Sequence, residues 1–167
     1  HEKFSGKKLQ YFDHEENKSY VPFVVETSIG LDRMFLAVFS KSLKEEALEN
    51  GTTRTVLKLP AVLAPYKAAV LPLVKKDGLP EVARKIMGDL KWDFNVFYDE
   101  KDAVGKRYRR QDAAGTPFCI TVDHDTLEDN RVTIRYRDTM EQKRVAISDL
   151  KEIIKTEVAV KTWLQKL

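Results

Sequence analysis

The 167-residue sequence predicts an α/β fold: a mixed, mainly parallel five-stranded sheet with flanking helices, preceded by a β-hairpin and a helix. Three observations predict it. From residue 57 onward, short apolar runs alternate with helical spacings in the order strand, helix, strand, helix, strand, which implies parallel β-α-β units. Residues 131–137 then alternate basic and apolar side chains, and residues 143–147 can pair with them as a hairpin, so antiparallel strands join the sheet. Ahead of all this, Leu31, Met34, Phe35, Val38, Phe39 and Leu43 fall on one apolar helical face.

Each element has a local reason. Residues 9–12 and 20–26 are apolar, aromatic or β-branched and flank a polar segment, so they read as an antiparallel hairpin. Pro22 places it near an edge or a strand start. Asp32 suits the positive end of the helix over 31–43. Residues 44–55 are polar, with Asn50-Gly51 as a turn signal, and a domain boundary is expected there, dividing the chain into 1–50 and 51–167. Residues 57–65 are apolar but interrupted by Pro60 and Pro65. Residues 68–74 read as a buried strand with Pro72 inside it, and 79–90 as a helix with Pro80 in its first turn. A strand over 95–98 precedes a helix over 104–114 that Gly115 ends. Residues 117–122 form an apolar strand and 123–130 a turn. Beyond it, Val132, Ile134 and Tyr136 face one way, and Arg131, Thr133, Arg135 and Arg137 the other. Ser148 is placed to cap a last helix carrying Leu150, Ile153 and Ile154. Val160, Trp163, Leu164 and Leu167 repeat the helical spacing.

Composition bounds the partners. No apolar run approaches the roughly 18 residues that span a bilayer, and residues 1–10 carry no apolar signal core. The single cysteine, Cys119, excludes an intrachain disulfide and fits a reducing cytosol. A cytoplasmic protein without membrane attachment is therefore expected. The formal net charge is +3, and its distribution is uneven: residues 1–104 carry 16 basic and 16 acidic side chains, residues 105–167 carry 13 and 10. Lys106, Arg107, Arg109 and Arg110 fall within five residues, and Arg131, Arg135, Arg137, Lys143 and Arg144 follow. Such a cluster is either a solvated face or a surface for phosphates and base edges, which the planar guanidinium fork suits.

Two constellations could carry chemistry. In Glu26-Thr-Ser-Ile-Gly-Leu-Asp-Arg33, period-two geometry puts Glu26 and Ser28 on one face of a strand end, and Arg33 opens the helix. A carboxylate, a hydroxyl and a guanidinium so arranged can hold an ammonium at one end and a phosphate at the other. The second is the arginine-rich helix with the alternating hairpin. Tyr108, Phe118 and Tyr136 lie among its arginines, either as platforms for unpaired bases or as core packing. No Gly-x-Gly-x-x-Gly or phosphate-binding P-loop is present, and His1, His14, His124 and Cys119 lack metal-ligand spacing, so no metal site is expected.

Residues 26–33 closely resemble motif 3 of class II aminoacyl-tRNA synthetases. The flanking Phe4-Ser-Gly-Lys-Lys-Leu-Gln-Tyr-Phe-Asp13 and Tyr20-Val-Pro-Phe-Val-Val-Glu26 resemble the homodimeric bacterial type of glycyl-tRNA synthetase in particular. The resemblance implies that Glu26 and Ser28 bind glycine and that Arg33 is the catalytic contact to ATP. Gly105-Lys-Arg-Tyr-Arg-Arg-Gln-Asp112, residues 113–123 and residues 131–144 resemble the anticodon-binding domain shared by glycyl, threonyl, prolyl and histidyl synthetases. That implies anticodon contacts from Arg107, Tyr108, Arg110, Arg135 and Arg137, all on one open face. Together the resemblances cover nearly the whole chain. They imply the carboxy-terminal portion of a glycine–tRNA ligase: residues 1–50 a catalytic-domain remnant, 51–167 the anticodon-binding domain. The full-length homodimer would use ATP and Mg²⁺ with glycine and tRNA(Gly). This stretch, without motifs 1 and 2, is expected to bind no cofactor and to form no glycyl-adenylate. The rival reading is a synthetase-like RNA-binding accessory factor without aminoacylation activity. An intact Glu26, Ser28 and Arg33 argue against it.

Overall fold

The computed structural model describes residues 1–49 and 51–165, so Asn50 and Leu167 lie outside the described residues. The chain forms two compact units, His1–Met34 and Phe35–Leu167.

The first unit opens with a single helical turn, α1 (Glu2–Ser5). Strands β1 (Tyr11–Asp13) and β2 (Lys18–Tyr20) pair antiparallel, with Tyr11 opposite Tyr20 and their rings edge to face at 5.8 Å. The Asp13 carboxylate accepts the amides of Glu15 and Glu16 at 2.9 and 3.2 Å and so nucleates the turn. The hairpin is shorter than its sequence suggested. Its ladder stops at Tyr20, and residues 21–30 are irregular. Pro22 has no N–H to extend the pairing. Helix α2 (Leu31–Ser42) follows, begins in this unit and ends in the next, and matches the periodicity that predicted it.

Residues 44–55, where a domain boundary was expected, hold paired strands. Strands β3 (Leu43–Ala47) and β4 (Thr53–Leu57) form an antiparallel hairpin, registered Leu43 with Leu57 and Ala47 with Thr53. The division expected at 50/51 falls between these paired strands, whereas the compact unit begins at Phe35. The alternation in β4 was hidden because one of its buried positions is a cation: Arg54 and Val56 point inward, at 2% and 0% exposure. A 3₁₀ turn over Ala61–Leu63 leads to Lys67, whose ammonium caps the carbonyls of Ala61, Val62 and Ala64 at 3.2, 2.7 and 2.8 Å.

The rest is the predicted α/β layer. In chain order it comprises β5 (Ala68–Pro72), α3 (Leu79–Leu90), β6 (Val96–Tyr98), α4 (Val104–Ala114), β7 (Phe118–Val122), α5 (Thr126–Asp129), β8 (Arg131–Tyr136), β9 (Gln142–Ala146), α6 (Leu150–Val158) and α7 (Val160–Leu164). The sheet order is β6-β5-β7-β8-β9, with β5 parallel to both β6 and β7, and β8 and β9 antiparallel. Pro72 is tolerated because it ends β5; the next amide, Leu73, resumes bonding to Val122 at 2.7 Å. Ser148 does not cap α6. Its hydroxyl donates to Asp149 at 2.9 Å, and Asp149 occupies the cap position.

The two faces of the sheet differ. On one, Val70, Ile120, Val132 and Ile134 pack with Leu79, Ala83 and Ile86 of α3 and Leu150 and Ile154 of α6. This is the main core, where truncating one buried aliphatic to alanine costs roughly 2–5 kcal/mol. On the other, a small cluster of Ala69, Leu71 and Cys119 packs with Phe97 and Tyr108, which brings α4 against this side. The hairpin β3–β4 covers α4 in turn, with Arg54 reaching Asp112. Helix α4 is thus enclosed on two sides. Gly115 ends it at φ 80°, where a Cβ would also meet the Leu57 carbonyl oxygen at 3.1 Å.

Candidate nucleic-acid interface

The five residues expected to touch RNA are not one open face. Arg135 is 4% exposed and holds Asp112 in a two-pronged pair at 2.8 and 3.0 Å. Its guanidinium lies over the Tyr108 ring, 4.9 Å from the centroid. Arg137 is 3% exposed; it donates to the carbonyls of Leu57, Gly115 and Leu59 at 3.0, 2.8 and 2.7 Å and pairs with Asp138. Arg107 is 1% exposed and donates to the carbonyls of Pro72, Asp99 and Leu73 at 2.6, 3.1 and 3.1 Å. Burial pushes its pKa down. These three guanidinium groups are buried and directed at internal carbonyls and carboxylates, so they do not form the open face expected of them. Their visible role is to fix the chain segments that meet around α4.

Tyr108 is half-buried, and its hydroxyl shares a 2.6 Å hydrogen bond with Thr121. Burial raises its pKa. Phe118 is buried core, edge-on to Tyr136 at 5.5 Å. Of the five, only Arg110 is exposed. It reaches Asp99 at 2.7 Å, Asp102 at 2.9 Å and the Lys101 carbonyl at 2.6 Å.

The hub of the arrangement is Asp112, at 0% exposure. Besides Arg135 it accepts from Arg54 at 3.1 Å and Arg109 at 3.3 Å. Arg54 also pairs with Glu46, at 2.8 and 2.6 Å, and donates to the Arg137 carbonyl at 2.9 Å. Lys58 pairs with the same Glu46. This network ties α4, β4 and β8 together. Single surface pairs contribute little to stability, but a buried carboxylate shared by cations is costly to break.

What lies outside is a smaller basic and aromatic surface. Lys101, Lys106, Arg109 and Arg110 are exposed on α4 and the loop before it. Beside them a cleft of about 430 Å³ is lined by Tyr66, Phe97, Lys101, Arg110 and Gln111 and by Asp99 and Asp102, both paired with Arg110, with the two rings 5.2 Å apart. Aromatic faces beside guanidinium groups are what unpaired bases stack on. Sequence reasoning missed Tyr66 and Phe97. The signal was there for Phe97: in a three-residue strand it must face opposite to Val96 and Tyr98, toward α4.

Glu26, Ser28 and Arg33 lie on the irregular segment and the first turn of α2, and all three are exposed. Glu26 and Ser28 are not on a strand, so the shared strand face expected of them is corrected. Their chemistry suits an ammonium and a phosphate, but all three are exposed, so water competes for each group. This segment alone does not enclose an ATP or glycine site. Among the described residues no group of three or more His, Cys, Asp or Glu could hold a metal ion, and no helix is long and apolar enough to cross a membrane.

The structure defines an α/β domain with a partly basic surface along α4, and comparison with known proteins gives its family. Residues 67–157 match the anticodon binding domain, and the chain belongs to that family. Over 95% of its length it is similar to curated proteins named glycine–tRNA ligase: 56% identical over 162 residues to that of Rhodopirellula baltica and 50% over 160 residues to that of Borrelia hermsii. It covers 30% and 36% of those relatives, so it spans about a third of their length. Among solved structures, the RNA binding domain of threonyl-tRNA synthetase from Cryptosporidium parvum superposes with a TM-score of 0.55 at 24% identity, covering 60% of this chain and 25% of that one. Prolyl-tRNA synthetase from the same organism, complexed with L-proline and AMP, gives 0.57 at 21% identity, covering 66% and 25%. These two likenesses establish the fold alone.

Proposed function

We propose that this chain is the anticodon-recognising portion of a glycine–tRNA ligase, and that it binds the anticodon loop of tRNA(Gly). The observation that carries the reading is the identity of 50% or more to proteins of that name over 95% of the chain, with the anticodon binding domain matched within it. The RNA surface is the exposed side of α4 and the adjoining Tyr66–Phe97 cleft. Arg110 meets the loop there, while Arg107, Arg135, Arg137 and Tyr108 hold the surface in shape. The whole protein works as a cytoplasmic homodimer that activates glycine with ATP and Mg²⁺. In it Glu26 and Ser28 contact glycine and Arg33 contacts ATP, inside a pocket that the remaining two-thirds of the protein completes.

The test is binding of the chain to anticodon stem-loops. A glycine-type loop, with two cytosines in its last two anticodon positions, binds more tightly than one with both replaced. Equal affinity for the two loops refutes anticodon recognition and reduces the function to generic RNA affinity. ATP–pyrophosphate exchange by the chain alone would refute the assignment of catalysis to the longer protein.

A further inference from the structure

A second cleft, of about 530 Å³, opens where β5 and β6 end and α4 begins; Leu73, Lys75, Ala103, Val104 and Arg107 are among the residues lining it. The carboxyl ends of parallel strands are where open α/β sheets hold ligands. Three features of this cleft are unspent. First, α4 has no side-chain cap at Ala103, and its first turn holds no acidic residue. The amides of Lys106 and Arg107 both go to the Ala103 carbonyl, at 3.0 and 3.2 Å. Those of Val104 and Gly105, which precede any intrahelical acceptor, are left pointing outward.

Second, Arg107 is a buried cation hydrogen-bonded to three neutral carbonyls and to no carboxylate. Its Nε is the buried side-chain nitrogen without any hydrogen-bond partner among the described residues. A buried donor with no acceptor is costly, and the nearby carboxylate that favours the Arg107 charge, that of Asp99, has its hydrogen bonds with Arg110. Third, Lys75 is an exposed cation on the rim. The two acids in the lining are engaged elsewhere: Glu100 by the Tyr98 hydroxyl and Arg84, and Asp102 by Arg110.

We infer that this cleft is a binding site for one phosphate group, held by the α4 amino terminus, Arg107 and Lys75. A phosphate accepts from the unpartnered Arg107 Nε–H and from the orphan amides at the positive end of the helix. The source is either a free phosphate compound or a phosphodiester of the RNA backbone, and the latter alone rests on the tRNA reading above.

The experiment is an NMR titration of the ¹⁵N-labelled 167-residue chain with inorganic phosphate, against sodium chloride at matched ionic strength. Phosphate shifts the amides of Val104 and Gly105 and the Arg107 Nε–H saturably; chloride does not. The decisive variant is Ala103→Asp. It caps α4 and so raises the melting temperature, yet it puts a carboxylate in the cleft and weakens phosphate binding by roughly ten-fold or more. Lys75→Gln weakens it by a smaller factor. No saturable shift beyond chloride, or undiminished phosphate binding by the better-capped variant, overturns the site. A short unpaired RNA that shifts the same resonances and competes with phosphate identifies the backbone as the source. RNA that binds elsewhere and leaves them unmoved identifies a free phosphate compound. If phosphate binds but no stem-loop does, the tRNA reading fails and the site stands. If stem-loop binding survives Ala103→Asp and phosphate has no effect, the site fails and the tRNA reading stands.

Discussion

Replacing Asp112 by asparagine removes one negative charge from a position at 0% exposure while keeping its shape. The cost follows from what the neighbours have left. Arg54 retains Glu46, which it already holds at 2.6 Å. Arg109 is 44% exposed and turns to water. Arg135 has no such recourse: its carboxylate bonds, at 2.8 and 3.0 Å, both go to Asp112, and its side chain is 4% exposed. The substitution therefore strands one buried cation, a defect of about 3–5 kcal/mol. For a chain of this size that lowers the melting temperature by roughly 10–15 °C. Urea denaturation followed by circular dichroism gives the free energy, and an unchanged m-value shows that the transition is the same one. The companion variant Arg135→Met removes the stranded cation, so the double variant is more stable than the sum of the two single losses predicts, by about 1 kcal/mol or more. A loss below about 1 kcal/mol for Asp112→Asn, or strict additivity in the cycle, refutes the claim that a buried charge network clamps α4.

Arg110→Ala leaves the melting temperature nearly unchanged but weakens stem-loop binding and flattens its salt dependence, because an exposed cation is removed. Arg137→Ala does the reverse: at 3% exposure it leaves three carbonyl acceptors unsatisfied and lowers stability by roughly 3 kcal/mol. Similar effects of both variants on stability would contradict the division into scaffold and surface. Gly115→Ala destabilises by roughly 2 kcal/mol or more, since φ 80° disfavours any Cβ and this one meets the Leu57 carbonyl at 3.1 Å; a neutral effect in thermal melts would show that the α4 terminus relaxes freely. Acid weakens the fold: Lys58 and Arg54 hold the Glu46 carboxyl below its ordinary range, and Arg144 and Thr126 do so for Asp123 against the opposing effect of burial. Depressed carboxyl pKa values contribute stability above their unfolded values, near 4, and lose it as the pH falls through the folded ones. A stability curve flat from pH 6 down to 3 would refute those pairings.

The sequence was most legible where apolar periodicity and turn chemistry agreed. Helices α3 and α4 and the helical α2 were read to within a residue, because Pro80, Gly115 and the apolar stripes mark their faces and ends. The five-strand sheet followed from the alternation of those helices with short apolar runs. The hairpin β3–β4 escaped because Glu45, Glu46 and Thr53 read as a solvated turn, and the buried partner of Val56 in the alternation is Arg54. The same blindness put buried arginines on an expected open face. A charged residue was read as a surface residue, yet three of the arginines in that reading are nearly inaccessible.

Helix α4 shows why charge alone misleads. Arg107, Gln111 and Asp112 are buried and Val104 and Tyr108 partly so, which is a helical stripe at spacings of three and four. Its composition is polar, so hydrophobicity does not reveal it, but its periodicity is the same as that of a greasy stripe. Lys106, Arg109 and Arg110 make the opposite stripe. One helix thus carries a buried polar stripe, in which Arg107 is held by three carbonyls and Asp112 by arginines of β4 and β8, and an exposed cationic stripe. A loop of RNA demands a surface that does not reorganise on contact, since each long side chain immobilised at binding costs about 0.5–1.5 kcal/mol. The buried set removes that cost in advance for the backbone that carries the exposed set. On this reasoning a variant that loosens the inner stripe without touching the outer one, such as Thr116→Val, which deprives the Gln111 side-chain oxygen of its 2.7 Å donor, slows RNA association or weakens it measurably. Unaltered stem-loop kinetics in a variant whose α4 amides exchange faster would show that rigidity of this helix is irrelevant to recognition.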